Sequence, residues 1–346
     1  MSASRTSAGR LVAAPIFLVG SERSGTTLLR LMLDHHPDIA FEKEFDFVVQ
    51  RLSDTGVAPP TDQYVDWLRT VRGVDYAIDR SLGYRELVND FLRQKQAAAG
   101  GKPHVGATIH RNFDRVPYLW PDARYIHLVR DPRDVARSVV LKGWAGNIYQ
   151  ATEFWTDAEH CWNALAPHLS ADDFIEIHYE ELVLRPQAVL AGICRFMGVD
   201  YSSEMLNYGV DAPQYPPPDP ALVMQWRTKL PPRDVGLVEF RTADLMQTRG
   251  YAPSGHPLPA IGPVRHRLLL IAGRLRSVRT RLDVFGPWLV TTDVLGRRLG
   301  IRRLALYAKH RMNAVEQSLI DQETAGLRAP SPNIARAQRP QAPDGD

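Results

Sequence analysis

Cysteine is scarce in this sequence: Cys161 and Cys194 are the two present in 346 residues. Two distant thiols build neither a disulfide framework nor a zinc site of paired cysteines. Cys194 stands in an apolar helical context, as a buried free thiol does. Such usage fits a reducing compartment, so a cytoplasmic protein is expected. No apolar run reaches the eighteen or so residues of a transmembrane helix. The first residues, MSASRTSAGRLVAAP, lack the apolar centre of a secretory leader, and none is expected. A large charge excess of either sign is missing too: 42 Lys and Arg face 39 Asp and Glu. That balance hides an asymmetry. Residues 264–312 hold twelve of the basic residues and two of the acidic ones, which leaves 30 against 37 elsewhere. The body is therefore mildly acidic and the tail strongly basic.

What is present begins with Pro15–Pro37, PIFLVGSERSGTTLLRLMLDHHP. A short apolar run to Val19 predicts a buried strand. Gly20 breaks it, and a small polar loop follows to Gly25. From Thr26 the spacing is helical, with Leu28, Leu29, Met32 and Leu33 on one face. Pro37 bars further helix. The pattern Gly20-x-x-x-x-Gly25-Thr26-Thr27 is nearly a P-loop, but Thr26 stands where the P-loop lysine belongs. A loop of this shape aims backbone N–H groups and the positive end of a helix at an anion. Its cation has moved to Arg23. The spacing thus reads as a phosphate or phosphosulfate cradle poorly suited to ATP hydrolysis; the alternative is a plain turn whose glycines serve packing.

A second stretch, Tyr125–Val140 (YIHLVRDPRDVARSVV), again reads strand, turn, helix. Asp131 suits the N-cap and Pro132 the first helical turn. Arg130 leaves the strand end and Ser138 lies eight residues on, so both can converge on one anion at the sheet's carboxyl edge.

Together the two segments resemble the PAPS-dependent sulfotransferases, in the branch of carbohydrate and tyrosylprotein sulfotransferases; the likeness covers roughly residues 14–251. It implies an α/β fold, a P-loop-type parallel sheet flanked by helices. By position, Arg23, Ser24, Gly25, Thr26 and Thr27 would hold the 5′-phosphosulfate of PAPS, with Arg23 also easing the departure of the phosphate. Arg130 and Ser138 would hold the 3′-phosphate. Sulfuryl transfer to a hydroxyl needs a base, which in this branch is a glutamate after the second strand. Asp38–Phe41 reads as that strand, and the position falls at Glu44, with Glu42 as its neighbouring alternative. Tyr179-Glu180-Glu181-Leu182 matches an element whose tyrosine approaches the nucleotide. Arg227 and Lys229 match a late loop that closes over the 3′-phosphate. No metal and no nucleic acid are implied; the partners are PAPS, its product PAP and a hydroxyl-bearing sugar, lipid, tyrosine or small molecule.

The chain departs from the resemblance at the third strand. Relatives carry a Gly-Asp-Lys-Thr-Pro-like run there; this chain has Gly106-Ala107-Thr108-Ile109-His110-Arg111. The lysine is missing, and His110 and Arg111 are the nearest cationic substitutes. Two other readings therefore stand beside the enzyme: a protein that binds PAPS or PAP without turnover, and a P-loop nucleotide kinase.

The expected organisation is a flexible arm at 1–13, a sulfotransferase-like domain at 14–252, a Pro/Gly linker at 253–263, a basic helical extension at 264–328 and a disordered tail at 329–346. In the extension Val264, Leu268, Ile271, Leu275, Val278 and Leu282 follow a 4-3-4-3-4 spacing with arginines on the other faces. Ile301, Leu304, Ala308, Met312, Val315 and Leu319 repeat it, and Gly286-Pro287 interrupts the two helices. So narrow a stripe suits self-association or docking on the body, and its basic flanks suit peripheral contact with a membrane.

Overall fold

A computed structural model of the chain describes residues 11–324, apart from residues 70, 72, 73, 211, 213, 214 and 216. The expectations for residues 1–10 and 325–346 lie outside the described residues.

The chain opens with strand β1 (Ile16–Val19), helix α1 (Thr26–Asp34) and strand β2 (Ile39–Glu44). Helices α2 (Thr61–Leu68) and α3 (Tyr84–Ala98) precede β3 (His104–Ile109) and β4 (Arg124–Val129). Helices α4 (Pro132–Leu141) and α5 (Ile148–Leu165) lead to β5 (Phe174–His178), α6 (Tyr179–Leu184) and α7 (Pro186–Met197). The rest is helical: α8 (Trp226–Lys229), α9 (Pro232–Thr248), α10 (Pro263–Arg298) and α11 (Arg302–Thr324).

These elements fall into two compact units. One holds the chain up to Asp131 together with Trp155–Gln225; the other holds Pro132–Phe154 and the chain from Trp226 onward.

The first unit contains a five-stranded parallel sheet in the order β2-β3-β1-β4-β5. Parallel strands covered on both faces read as continuous apolar runs, and all four residues of β1, IFLV, are buried at its centre. One face carries a core of Phe17, Phe45, Phe91, Trp120 and Trp162; the other carries Leu18, Leu29, Met32, Leu128 and Ile193. The aromatic and aliphatic faces of α2 and α3, including Tyr64, Leu87 and Phe91, belong to the first core. Trp155 and Trp162 are buried as well.

Strand β2 runs on to Glu44, past the end at Phe41 that the sequence suggested. Its register against β3 slips between Glu42 and Glu44, since Glu42 pairs with Ala107 and Glu44 with Thr108. The extra residue is a β-bulge, and it re-aims the side chains at the end of the strand.

The turn feeding β2 is held by one ammonium group. Lys102 Nζ donates to the carbonyls of Asp34 (2.9 Å), His36 (2.8 Å) and Ile39 (3.0 Å). Burial pushes the Lys102 pKa below the usual lysine value.

In the second unit α4 packs on α9 through a buried ion pair, Arg133 Nη1 to Glu239 Oε1 at 2.7 Å. The Arg133 guanidinium also lies 3.7 Å from the centre of the Trp226 ring. The stretch at Arg227 and Lys229, a loop by expectation, is the short helix α8. Gly286 (φ 76, ψ 156) breaks α10 where Gly286-Pro287 was expected to interrupt it. A further helical stretch then runs to Arg298, so the tail has three helical segments rather than two. Ala308 and Met312 of α11 are buried.

Lys102→Met keeps the stem and removes all three donors. Bonds from a charged donor contribute about 1.5–3 kcal/mol when intact, and partial solvent access discounts that here. A loss of about 2 kcal/mol in unfolding free energy is expected, read as a lower urea midpoint; an unchanged midpoint contradicts the clamp.

Candidate active site

The glycine loop joins β1 to α1 in the first unit. Gly25 caps α1 with φ 94, a left-handed conformation open mainly to glycine. A Cβ there would also lie 2.3 Å from the Tyr179 ring. Arg23 takes φ 70, an uncommon value for a residue with a side chain and one that clusters at functional sites. No side chain caps α1 and no acidic residue lies in its first turn. Its first N–H groups and the positive end of its dipole are thus left for an external anion. Ser24 is fully buried, and its Oγ has no hydrogen-bond partner among the described residues. A buried hydroxyl of that kind costs free energy unless a ligand or water satisfies it.

Tyr179 ties this loop to Arg130. Its ring packs on Gly25 and carries the Arg130 guanidinium 4.1 Å from its centre. Arg130 Nη1 donates to the Arg23 carbonyl and Nη2 to that of Leu222, each at 3.2 Å. The backbone around Arg130 is pinned too: Trp155 Nε1 donates to its carbonyl at 2.9 Å, and Asp131 N donates to Glu180 Oε1 at 3.1 Å. Burial and the neighbouring Arg130 cation both push the Arg23 pKa below the usual arginine value, with burial the larger cause. Two neighbouring guanidinium groups favour an anion beside them.

Beside the loop lies a cleft of about 200 Å³ lined by Thr26, Thr27, Arg30, Lys43, Glu44, Thr108, His110 and Tyr215. The bulge decides which glutamate enters the cleft. On an unbroken strand Glu42 and Glu44 would face the same way. Here Glu42 turns aside, accepting from Tyr76 Oη at 2.8 Å and from Lys43 N at 2.8 Å. Glu44 lines the cleft.

His110 is buried, and its Nδ1 lies 2.9 Å from the Gly20 carbonyl. A carbonyl only accepts, so Nδ1 carries the proton and Nε2 is left over. Its backbone N–H and that of Arg111 both donate to Asp46 Oδ1 at 2.8 Å. Burial raises the Asp46 pKa. Arg111 is bound to Glu22 at 2.8 Å and does not line the cleft. The missing third-strand lysine is answered from other elements: Lys43 of β2 and Arg30 of α1 stand in the cleft. Sequence reading passed over Lys43, because only the bulge shows where it goes. Thr108 Oγ1 is a second buried hydroxyl without a hydrogen-bond partner among the described residues.

The structure thus brings Arg23, Ser24, Gly25, Arg130 and Tyr179 together, and places Thr26, Thr27 and Glu44 around the adjoining cleft. Ser138, Arg227 and Lys229 belong to the second unit, on α4 and α8. Their assignment to the nucleotide rests on motif alone.

A model of the sulfotransferase family matches residues 15–203. This chain belongs to the sulfotransferase family. The matched span runs from β1 to just beyond α7 and holds the loop, Arg130 and the residues lining the cleft other than Tyr215. Among curated relatives, a protein-tyrosine sulfotransferase of Drosophila melanogaster is 26% identical, with 56% of this chain and 40% of that protein covered. Protein-tyrosine sulfotransferase 2 of Gallus gallus is 23% identical, with 56% and 53% covered. The chain therefore spans about half the length of the curated relatives it matches. The sulfotransferase domain of the Synechococcus PCC 7002 olefin synthase has the same fold, at a TM-score of 0.54 and 24% identity over 69% of this chain and 96% of that one.

If the loop of this sulfotransferase-family protein is an anion site, inorganic sulfate should stabilise it. At about ten times its Kd, sulfate adds roughly 1.4 kcal/mol by mass action, read as a rise of a few degrees in the melting temperature. Arg23→Gln should remove that rise. An equal rise in parent and variant would place sulfate elsewhere.

Proposed function

We propose that this protein moves the sulfuryl group of PAPS to a hydroxyl acceptor, with Glu44 as general base. The observation that carries the reading is the cleft itself, which places the Glu44 carboxylate with Thr26 and Thr27 at the open N-terminus of α1. PAPS, when bound, supplies an electrophilic sulfuryl group and departs as PAP.

The chain's residues divide the remaining work. Glu44 takes the proton of the acceptor hydroxyl as its oxygen attacks sulfur. The loop N–H groups and Arg23 stabilise the negative charge that grows on the departing phosphate, and they are in place beforehand. Lys43 adds a cation at the cleft, where relatives of the resembled branch use a third-strand lysine. His110 lines the same cleft and, with Nδ1 held by Gly20, can hold a hydroxyl through its other ring nitrogen. Arg130, stacked on Tyr179, offers a planar fork of donors to a second phosphate. Ser138, Arg227 and Lys229 enter this reading through their motifs. Ser24 in the loop and Thr108 in the cleft, two buried hydroxyls without a partner among the described residues, would find one in the bound group, so the residues present fit it.

The names of the curated relatives put a tyrosine phenol among the acceptors to test, beside sugars, lipids and small alcohols. A PAPS-binding protein without turnover would be favoured by the absent third-strand lysine, but Lys43 and Arg30 supply cationic charge in its stead. A nucleotide kinase would want the loop lysine that Thr26 replaces.

Glu44→Gln keeps the shape and removes the proton affinity. With radiolabelled PAPS and an acceptor found from such a panel, this variant should bind nucleotide like the parent. Its turnover should fall by about 10²–10⁴-fold, the usual contribution of a positioned base. Glu42→Gln should turn over nearly as the parent does. If Glu42→Gln is the inactive one, the base is reassigned; if both are active, Glu44 has no such role.

A further inference from the structure

Helix α10 wears its apolar stripe on the outside. The helix docks on residues 146–150 of its own unit through a small and polar face. Asn147 Nδ2 donates to the Leu269 carbonyl at 2.7 Å, and His266 Nδ1 and Tyr149 Oη share a hydrogen bond of 2.8 Å. Gly273 is buried there, and a Cβ on it would lie 2.6 Å from Gln150 Oε1. Ser277 Oγ lies 3.4 Å from the same atom.

The helical period puts Val264, Leu268, Ile271, Leu275 and Val278 on the opposite side. All five are exposed, from 49% at Val278 to 73% at Val264. A five-residue apolar row in water is the reverse of what a surface helix normally shows. Trp288, just past the Gly286 break, is 74% exposed as well.

The flanks of the stripe decide what covers it. On one side stand Arg267, Arg274 and Arg281; on the other, Arg265, Ala272 and Arg279. No flanking position is acidic. Arg281 is engaged by Asp293 at 3.2 Å, while Arg267, Arg274 and Arg279 are exposed. In a coiled coil these flanking positions meet those of the partner helix, where opposite charges favour pairing. A second copy of this helix would set arginine against arginine at most of these positions, with no acidic residue to pair them. An apolar stripe with arginine on both sides instead matches a negatively charged surface with an apolar interior.

We propose that α10 is a peripheral docking helix for bilayers containing anionic phospholipids. Its five aliphatic side chains enter the boundary of headgroups and acyl chains, and the arginines on both flanks reach the lipid phosphates. Exposed Trp288 suits the same interfacial layer. Among the described residues no helix is long and apolar enough to cross a membrane, so this contact is parallel to the surface.

Sedimentation of the full chain with vesicles tests the proposal. Vesicles of phosphatidylcholine alone are compared with vesicles of two parts phosphatidylcholine to one part phosphatidylglycerol. Binding is expected to the anionic vesicles and not the neutral ones, and to weaken as salt screens the charges. Leu268→Glu with Leu275→Glu changes solvent-facing positions, so it should leave the melting temperature unchanged and abolish vesicle binding. Arg267→Gln, Arg274→Gln and Arg279→Gln together should weaken partitioning by about a hundredfold, at roughly fivefold per arginine near an anionic surface. No binding to either vesicle, or equal binding to both, overturns the proposal. So does a dimer in analytical ultracentrifugation that the double leucine variant splits, because the stripe would then belong to a second copy.

Discussion

Two like charges, Arg23 and Arg130, held beside one another set the logic of the site. Arg23 is held in a left-handed backbone conformation, in a place where burial and Arg130 both oppose its charge. Arg130 donates to the backbone of the same loop and stacks on Tyr179, whose ring also touches Gly25. Such an arrangement costs free energy that a bound anion would offset. The open end of α1 points the same way, with neither a side-chain cap nor an acidic residue in its first turn. Strain, unpaired hydroxyls and cationic crowding thus converge on one ligand chemistry.

The second constraint is a single inserted residue. By slipping the register of β2 against β3, the bulge separates two glutamates that simple alternation would have kept on one face. Glu42 becomes a structural acceptor for Tyr76, and Glu44 becomes a carboxylate in a cleft with Lys43 and His110. Lys102 contributes at a distance, because its three bonds fix the turn from which β2 sets out. On the proposed reading the base and a cation come from β2 and the cradle from the loop between β1 and α1, at the carboxyl edge where parallel α/β sheets commonly bind ligands.

Much of this was legible in the sequence because it is local. The strand, loop and helix of residues 15–37 follow from apolar spacing, two glycines and a proline. The bulge was not legible. It depends on hydrogen bonds between distant segments, such as Phe45 N to the Thr108 carbonyl at 2.7 Å, and no spacing rule within β2 carries that information. For the same reason Lys43 went unnoticed while Arg111, bound to Glu22, was kept as a candidate. In the tail the heptad spacing was visible, but not which side of α10 would pack. Gly273 and Ser277 settled that by allowing close approach to Gln150, which turned the aliphatic row outward.

Arg130 and the glycine loop, on this reading, hold two separate phosphates of one nucleotide, and the rest of the mechanism depends on that division. Titration calorimetry on the full chain, in EDTA, tests it with PAP and with adenosine 5′-phosphate, which lacks the 3′-phosphate. Saturable one-site binding of PAP is predicted, with Arg130→Ala weakening PAP by about tenfold or more, the worth of a charge-assisted bond, and barely changing adenosine 5′-phosphate. Equal losses for both ligands, or no PAP binding by the parent protein, would contradict it.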